Sequence, residues 1–315
     1  MTALLDRKLL FVTGKGGVGK TTVAAGLALL ASQHGKRTLV GEVDAKGNLA
    51  DFYEVPPTGF DAREIAPNLF AMSMQTEESL KEYLRLQLKI PLVARIGPLA
   101  RTFDFVAQAA PGVKEVLIIG KFLWEVRERH YDLVVVDGAA TGHAVAQLAA
   151  PQGIREMVKV GLVRDQTGWM LDILGDPEKT GAVIVASPEE MPVNETIELA
   201  ARIHQETNVD LASVVVNRVL PELFGRSEEE VFDRLKQPAS AEALASAAGG
   251  PVTAVLDGAE LAVTLRRTRA GHLARLRAGL PNATELLYVP ELFTRHHGVR
   301  ATQLVADALG QELGF

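Results

Sequence analysis

The chain has 315 residues, 47% of them hydrophobic and 23% charged, with a net charge of −6 and no cysteine. The composition suits a globular protein with a real core, and the acidic balance argues against a general nucleic-acid binder, which needs a basic face for phosphates. The missing thiols exclude disulfides, thiolate zinc sites and iron–sulfur clusters.

In chain order, strands are predicted at Leu9 to Thr13, Thr38 to Val43, Leu69 to Ser73, Leu133 to Asp137, Ala182 to Ser187, Ser213 to Asn217 and Leu286 to Val289. Helices are predicted at Lys20 to Gln33, Thr141 to Ala149 and Glu195 to Glu206. Continuous aliphatic runs such as Leu133-Val134-Val135-Val136 suit strands buried on both faces. Their alternation with helices gives the fold class: α/β, a mostly parallel sheet covered by helices on both sides. Pro56-Pro57-Thr58-Gly59 reads as a turn rather than a boundary, so residues 1–315 are taken as a single domain.

Three longer segments, about 77–128, 154–174 and 221–281, are read as helical insertions. The first is dense in apolar residues: Leu84, Leu86, Leu88, Ile90, Leu92, Val93, Ile96 and Leu99. The second carries Met157, Trp169 and Met170, and the third an amphipathic stretch from Leu261 to Leu280. Arg266, Arg267, Arg269, Arg275 and Arg277 lie in that stretch and read as the solvated face of a surface helix, an acidic partner or lipid headgroup being the alternative. No stretch is long and apolar enough to span a membrane, and Leu9 to Val12 is too short for a signal peptide. A cytoplasmic protein is expected, reaching a membrane only through a partner. His296 and His297 are adjacent and lack ligand spacing, which gives no metal site.

Gly14-Lys15-Gly16-Gly17-Val18-Gly19-Lys20-Thr21, followed by Thr22, joins a predicted strand to a predicted helix. That is the context of a phosphate-binding loop. Glycines let backbone N–H groups approach phosphates, and the helix start adds its positive end. Lys20 is the candidate for the β and γ phosphates and the Thr21 hydroxyl for magnesium. The bland alternative, a tight strand–helix turn, does not call for the lysine and threonine. Asp137 ends an apolar strand, where a carboxylate would hold magnesium directly or through water. Asn217 closes Val214-Val215-Val216 and can pair with a purine edge. The residues after it, Arg218-Val219-Leu220, lack the aspartate of a guanine reader, which favours adenine. An asparagine at a strand end is also a common turn residue. Pro290, after the run Leu286 to Val289, is grouped with Asn217 among the nucleotide-binding candidates.

Gly-Lys-Gly-Gly-Val-Gly-Lys-Thr-Thr resembles the deviant P-loop of the dimeric ATPases that include MinD, ParA, the nitrogenase iron protein and ArsA. The resemblance implies a dimer closing around ATP, with Lys15 reaching the partner's nucleotide. Asp44-Ala45-Lys46-Gly47-Asn48-Leu49-Ala50-Asp51 and Asp137-Gly138-Ala139-Ala140-Thr141-Gly142-His143 resemble the two switch loops of the ArsA-like branch, whose usual forms are Asp-Pro-Ala-His-(Asn/Ser)-Leu-Ser-Asp and Asp-(Thr/Ala)-Ala-Pro-Thr-Gly-His. Pro111-Gly112 with Glu115, and Pro188-Glu189-Glu190 with Glu195-Thr196, look like that branch too, so the resemblance spans nearly the whole chain. It implies that Asp51 orients the attacking water and that Asp44, with Asp137 and Thr21, supports magnesium. It also makes Asn48 and His143 switch residues and Thr141 with Gly142 a hinge sensing the γ phosphate. Catalysis would come from positioning and from the charges of Lys15, Lys20 and magnesium. Ala45, Lys46, Gly47 and Ala140 depart from the usual forms, which implies more flexible loops and slow or partner-dependent hydrolysis.

For what the cycle drives, the first expectation is a nucleotide-switched homodimer, or a pair with a paralogous subunit, that binds and releases a hydrophobic client or membrane partner. Apolar residues of the first insertion would line the groove; their bland role is packing helices on the sheet. The second is an ATPase subunit energising an anion transporter, with thiolate-type arsenite activation excluded by the absence of cysteine. A positioning ATPase of the MinD or ParA kind ranks behind both. The tail Ala301 to Phe315 carries Asp307 and Glu312 and no lysine or arginine, unlike a basic membrane helix.

Overall fold

The computed structural model describes residues 3–43, 48–87, 112–222, 225–293 and 298–315. Among the described residues eight strands form one sheet: β1 (Leu9–Gly14), β2 (Thr38–Glu42), β3 (Arg63–Ala66), β4 (Leu69–Ser73), β5 (Leu133–Ala140), β6 (Thr180–Ala186), β7 (Leu211–Val219) and β8 (Glu285–Pro290). Their order is β3-β4-β2-β5-β1-β6-β7-β8. Only β3 runs antiparallel, against β4; the other pairs are parallel, so their carboxyl ends share one edge.

Period-two alternation sends each strand's side chains to opposite faces. Leu9, Phe11, Val134, Val136, Ile184 and Val214 join one core. That core is closed by α4 (Val113–Arg127), α5 (Thr141–Met157), α6 (Leu162–Leu174) and α7 (Glu190–Glu206). Leu10, Val12, Val135, Val183 and Val215 join the other, under α1 (Lys20–Gln33), α2 (Asn48–Phe52) and α11 (Val299–Leu313). With both faces covered, aliphatic strands are the stable choice. In α11, Val305, Ala306 and Leu309 are fully buried against this second core.

The segment from about residue 77 begins as α3 (Thr76–Gln87), which packs on α4. Lys121 of α4 is bonded to Glu82 of α3 and to Glu125, at 2.8 Å each. Burial works against its charge, yet the two carboxylates raise its pKa above the usual lysine value. Of the apolar residues expected to line a groove, Leu84 and Leu86 belong to α3; Leu88, Ile90, Leu92, Val93, Ile96 and Leu99 lie outside the described residues.

Three elements depart from the predicted ones, the first two for physical causes. Strand β3 was not predicted, because Arg63-Glu64 stays exposed at an edge where charge is favoured over apolar alternation. Helix α5 continues past Ala149 through Pro151 to Met157, since burial of Ala150, Pro151 and Ile154 outweighs the lost backbone donor. Helix α7 starts at Glu190, not Glu195. Between β7 and β8 lie α8 (Arg226–Leu235), α9 (Pro238–Ala248) and α10 (Thr253–Gly279). Of α10 only Leu276 is fully inside.

The arginines of α10 are not simply a solvated face. Arg266 pairs with Glu222 at 3.0 Å, Arg269 donates to the Arg218 carbonyl at 3.1 Å, and Arg275 donates to the Glu190 carbonyl at 3.1 Å. They fasten the helix to the ends of β7 and α7. Among the described residues no helix is long and apolar enough to cross a membrane. His296 and His297 lie outside the described residues.

Candidate functional site

The carboxyl end of β1 sits at the middle of the sheet, between β5 and β6. Ligands of open α/β sheets bind at this edge. Gly14 ends the strand at φ 146°, and a Cβ there would stand 2.2 Å from the Val185 carbonyl oxygen, so only glycine lets the chain leave the sheet here. Gly19, at φ 95°, precedes α1, and a Cβ on it would meet the Asn217 amide at 2.3 Å. Between them Val18 is buried in the α1-side core and pins the loop. Thr13 donates to the Ala139 carbonyl at 2.9 Å, tying β1 to the end of β5.

The loop's polar groups fall into three contacts. Lys20 folds back so that Nζ donates to the Lys15 carbonyl at 3.2 Å, holding its charge across the concavity of Gly16 and Gly17. The Thr21 hydroxyl donates to Asp137 Oδ2 at 2.7 Å, joining the first turn of α1 to β5. Asn217 Nδ2 donates to the Val18 carbonyl at 2.9 Å, while its Oδ1 accepts from the Arg218 N–H at 2.9 Å. Asn217 is thus a clamp on the loop from β7, whatever else it meets. Thr22 follows on α1. Pro290 ends β8 in register with Val219, beyond Asn217 on the neighbouring strand.

Lys15 does not join Lys20. Its ammonium pairs with the Glu195 carboxylate on α7. A cleft of about 370 Å³ opens beside the loop there, lined by Lys15, Val18, Ser187, Glu189, Pro192 and Arg218. Arg218 holds a left-handed backbone (φ 61°) at the end of this cleft. Such strain in a non-glycine residue costs on the order of 1 kcal/mol and collects at functional sites.

Of the two switch segments, Asp44 to Gly47 lie outside the described residues. Asn48 starts α2, and Asp51 on that helix is exposed. Leu49, Ala50 and Tyr53 are buried, and the Tyr53 hydroxyl donates to the Ala25 carbonyl of α1 at 2.8 Å. Burial, reinforced by the nearby Asp137 carboxylate, pushes the Tyr53 hydroxyl far above its ordinary pKa, so it remains a donor. In the second segment Asp137 is buried, and Thr141, Gly142 and His143 open α5 directly after β5.

One carboxylate escaped the sequence reading. Glu42 is buried at the end of β2, in register with Asp137, and accepts from Ser73 Oγ at 3.3 Å. The available signal was a lone acid in Leu39-Val40-Gly41-Glu42-Val43.

The donor set at Thr21 and Asp137 consists of hard oxygens, as magnesium requires. The Thr21 hydroxyl donates a hydrogen bond to the carboxylate, which leaves the hydroxyl's lone pairs for a cation. Glycine backbone, a folded-back lysine and a hydroxyl–carboxylate pair at the edge of a parallel sheet define the class of P-loop nucleoside triphosphatases.

Comparison with known proteins narrows the class. A family model described as anion-transporting ATPase, of the ArsA type, matches residues 7–171 and 163–238. The chain belongs to this family. ATPase BagA of Mycobacterium tuberculosis is 30% identical over 225 residues, covering 68% of this chain and 66% of its own length. ATPase GET3 of Phaeosphaeria nodorum is 30% identical over 262 residues, 69% of this chain and 79% of its own. An ASNA1 homologue of Entamoeba dispar is 26% identical over 257 residues, 68% and 77%. The chain therefore spans just under two thirds of the mycobacterial relative. The family match ends at residue 238, the first of α9, and leaves out α10, β8 and α11, a narrower reach than the switch-loop resemblance implied.

Proposed function

We propose that the chain is a magnesium-dependent ATPase, acting as one unit, that closes as a dimer around ATP and uses hydrolysis to switch its hold on a hydrophobic client or membrane partner. The observation that carries this reading is the position of Lys15. Its ammonium pairs with Glu195 on α7 rather than folding back over the loop as Lys20 does, which supports a role other than binding its own phosphates. A second lysine held at the mouth of an open cleft is suited to the phosphates of a facing subunit, either a copy of this chain or a paralogue.

Lys20 would exchange the Lys15 carbonyl for the β and γ phosphates, with the loop N–H groups around them. Thr21 would ligate magnesium, with Asp137 and Asp44 behind it. When bound, that ion neutralises charge on the phosphate oxygens. Asp51 would orient water for in-line attack, and Thr141 and Gly142 would sense the γ phosphate, with His143 and Asn48 moving alongside. Asn217 and Pro290 would border the adenine. The family's description keeps an anion-transport role as the second reading; a thiolate arsenite site is excluded because the sequence has no cysteine.

Lys15→Ala tests the carrying observation. Hydrolysis per subunit should fall about 10²–10³-fold, the usual loss for one transition-state donor, while ATP affinity of the isolated subunit changes by less than about threefold (~0.6 kcal/mol). An equal loss of ATP binding would assign Lys15 to its own nucleotide and overturn the in-trans role.

A further inference from the structure

The turn joining α5 to α6 places an apolar tip inside a cationic collar. Met157 is 67% exposed, Val160 81% and Val163 41%. Arg155, Lys159 and Arg164 stand beside them and line one cleft with Gln152 and Glu156. None of these three cations forms an ion pair among the described residues; the Arg164 guanidinium reaches only the Arg155 carbonyl, at 3.5 Å. Behind them Arg127 lies over the Trp124 and Trp169 rings, 5.7 and 4.8 Å from the centroids. The acids nearby are Glu156, held by Gln152 at 2.7 Å, with Asp165 and Asp172.

Single exposed aliphatic residues are ordinary, but three together within a basic surround are the chemistry of an interfacial element. The collar runs against the charge of the whole chain, which is −6. It therefore selects an anionic surface over a neutral one. A protein client is the poorer fit. A helix-binding groove needs apolar walls, whereas the clefts flanking this tip are walled mainly by charged and amide side chains, with Trp169 their one large apolar lining.

We propose that this turn docks on an anionic lipid surface. Met157, Val160 and Val163 enter the boundary between headgroups and acyl chains, and Arg155, Lys159 and Arg164 engage lipid phosphates. The site is separate from the nucleotide loop but connected to it by one rigid element. Helix α5 begins at Thr141, next to the end of β5, and its 17 residues run about 25 Å to Met157. The docking goes beyond the proposed ATP switch and does not require the dimer.

Flotation of the full chain with vesicles tests it. Vesicles of phosphatidylcholine with about a third phosphatidylglycerol, an anionic surface of the kind that attracts basic segments, should carry the protein, and pure phosphatidylcholine vesicles should not. Salt should weaken the binding. Each cation near an anionic surface contributes about fivefold in partitioning, so the double variant Lys159→Glu, Arg164→Glu should lose at least about 25-fold. Val160→Asp should lose binding with ATP hydrolysis unchanged, which shows that the fold is intact. No binding to anionic vesicles, or equal binding by both variants, overturns the proposal. Indifference to vesicles with capture of an apolar helical peptide, lost in Val160→Asp, would also overturn it and make the tip a client site.

Discussion

Lys20→Ala is expected to weaken ATP binding by a hundredfold or more and to cut hydrolysis by about 10²–10³-fold at saturating nucleotide. The Lys20 ammonium is 3.2 Å from the Lys15 carbonyl, inside the arc of the glycine loop. It is the charge nearest the space a triphosphate must fill, and backbone N–H groups alone cannot neutralise the γ phosphate. The substitution should leave the fold intact, because Val18 and the glycines set the loop path and Lys20 is not part of either core. Fluorescent-nucleotide titration and phosphate release measure the two effects. Losses under tenfold would mean that the phosphates lie elsewhere.

Asp51→Asn is expected to separate binding from chemistry. ATP should bind with unchanged affinity, and hydrolysis should fall about 10²–10⁴-fold, the range for loss of a group that handles the attacking water. Helix α2 is short, yet it is anchored. Leu49, Ala50 and Tyr53 bury one side of it, and the Tyr53 hydroxyl is bonded to α1, the helix that the phosphate loop opens. Asp51 is on the opposite, exposed side. It is therefore carried by an element anchored to the loop helix but remains free to meet a nucleotide or a facing subunit. Single-turnover hydrolysis beside equilibrium binding measures the split. Normal turnover in the variant would remove Asp51 from the reaction.

The fold was legible where burial and chemistry agree. Leu133 to Val136 reads as a strand because both of its faces need aliphatic residues, and Lys20 to Gln33 reads as a helix and forms over the same span. Where tertiary contacts override local preference, the sequence misled. The helix predicted to end at Ala149 runs on as α5 through the buried Pro151, and Arg63-Glu64, for which no strand is predicted, adds an edge to β4. The loop residues of the site were legible for a related reason, since glycine, lysine and threonine at that spacing have few other uses. Contacts made between distant segments were not. The clamp from Asn217 to Val18, the hold of Glu195 on Lys15 and the buried Glu42 beside Asp137 each join residues far apart in sequence. The arginines of α10 show the same limit: their partners lie on β7, α7 and the loops after β7 and β8.

The most direct measurement of the switch is the mass of the pure chain in solution, by light scattering, with and without magnesium and ATP, using Asp51→Asn to hold the bound state. The chain is 33.9 kDa. A mass that doubles only with magnesium and ATP, and that fails to double in Lys15→Ala, is the expected result. A chain that binds ATP and keeps its single mass, alone and mixed with a paralogous subunit, would contradict closure around the nucleotide.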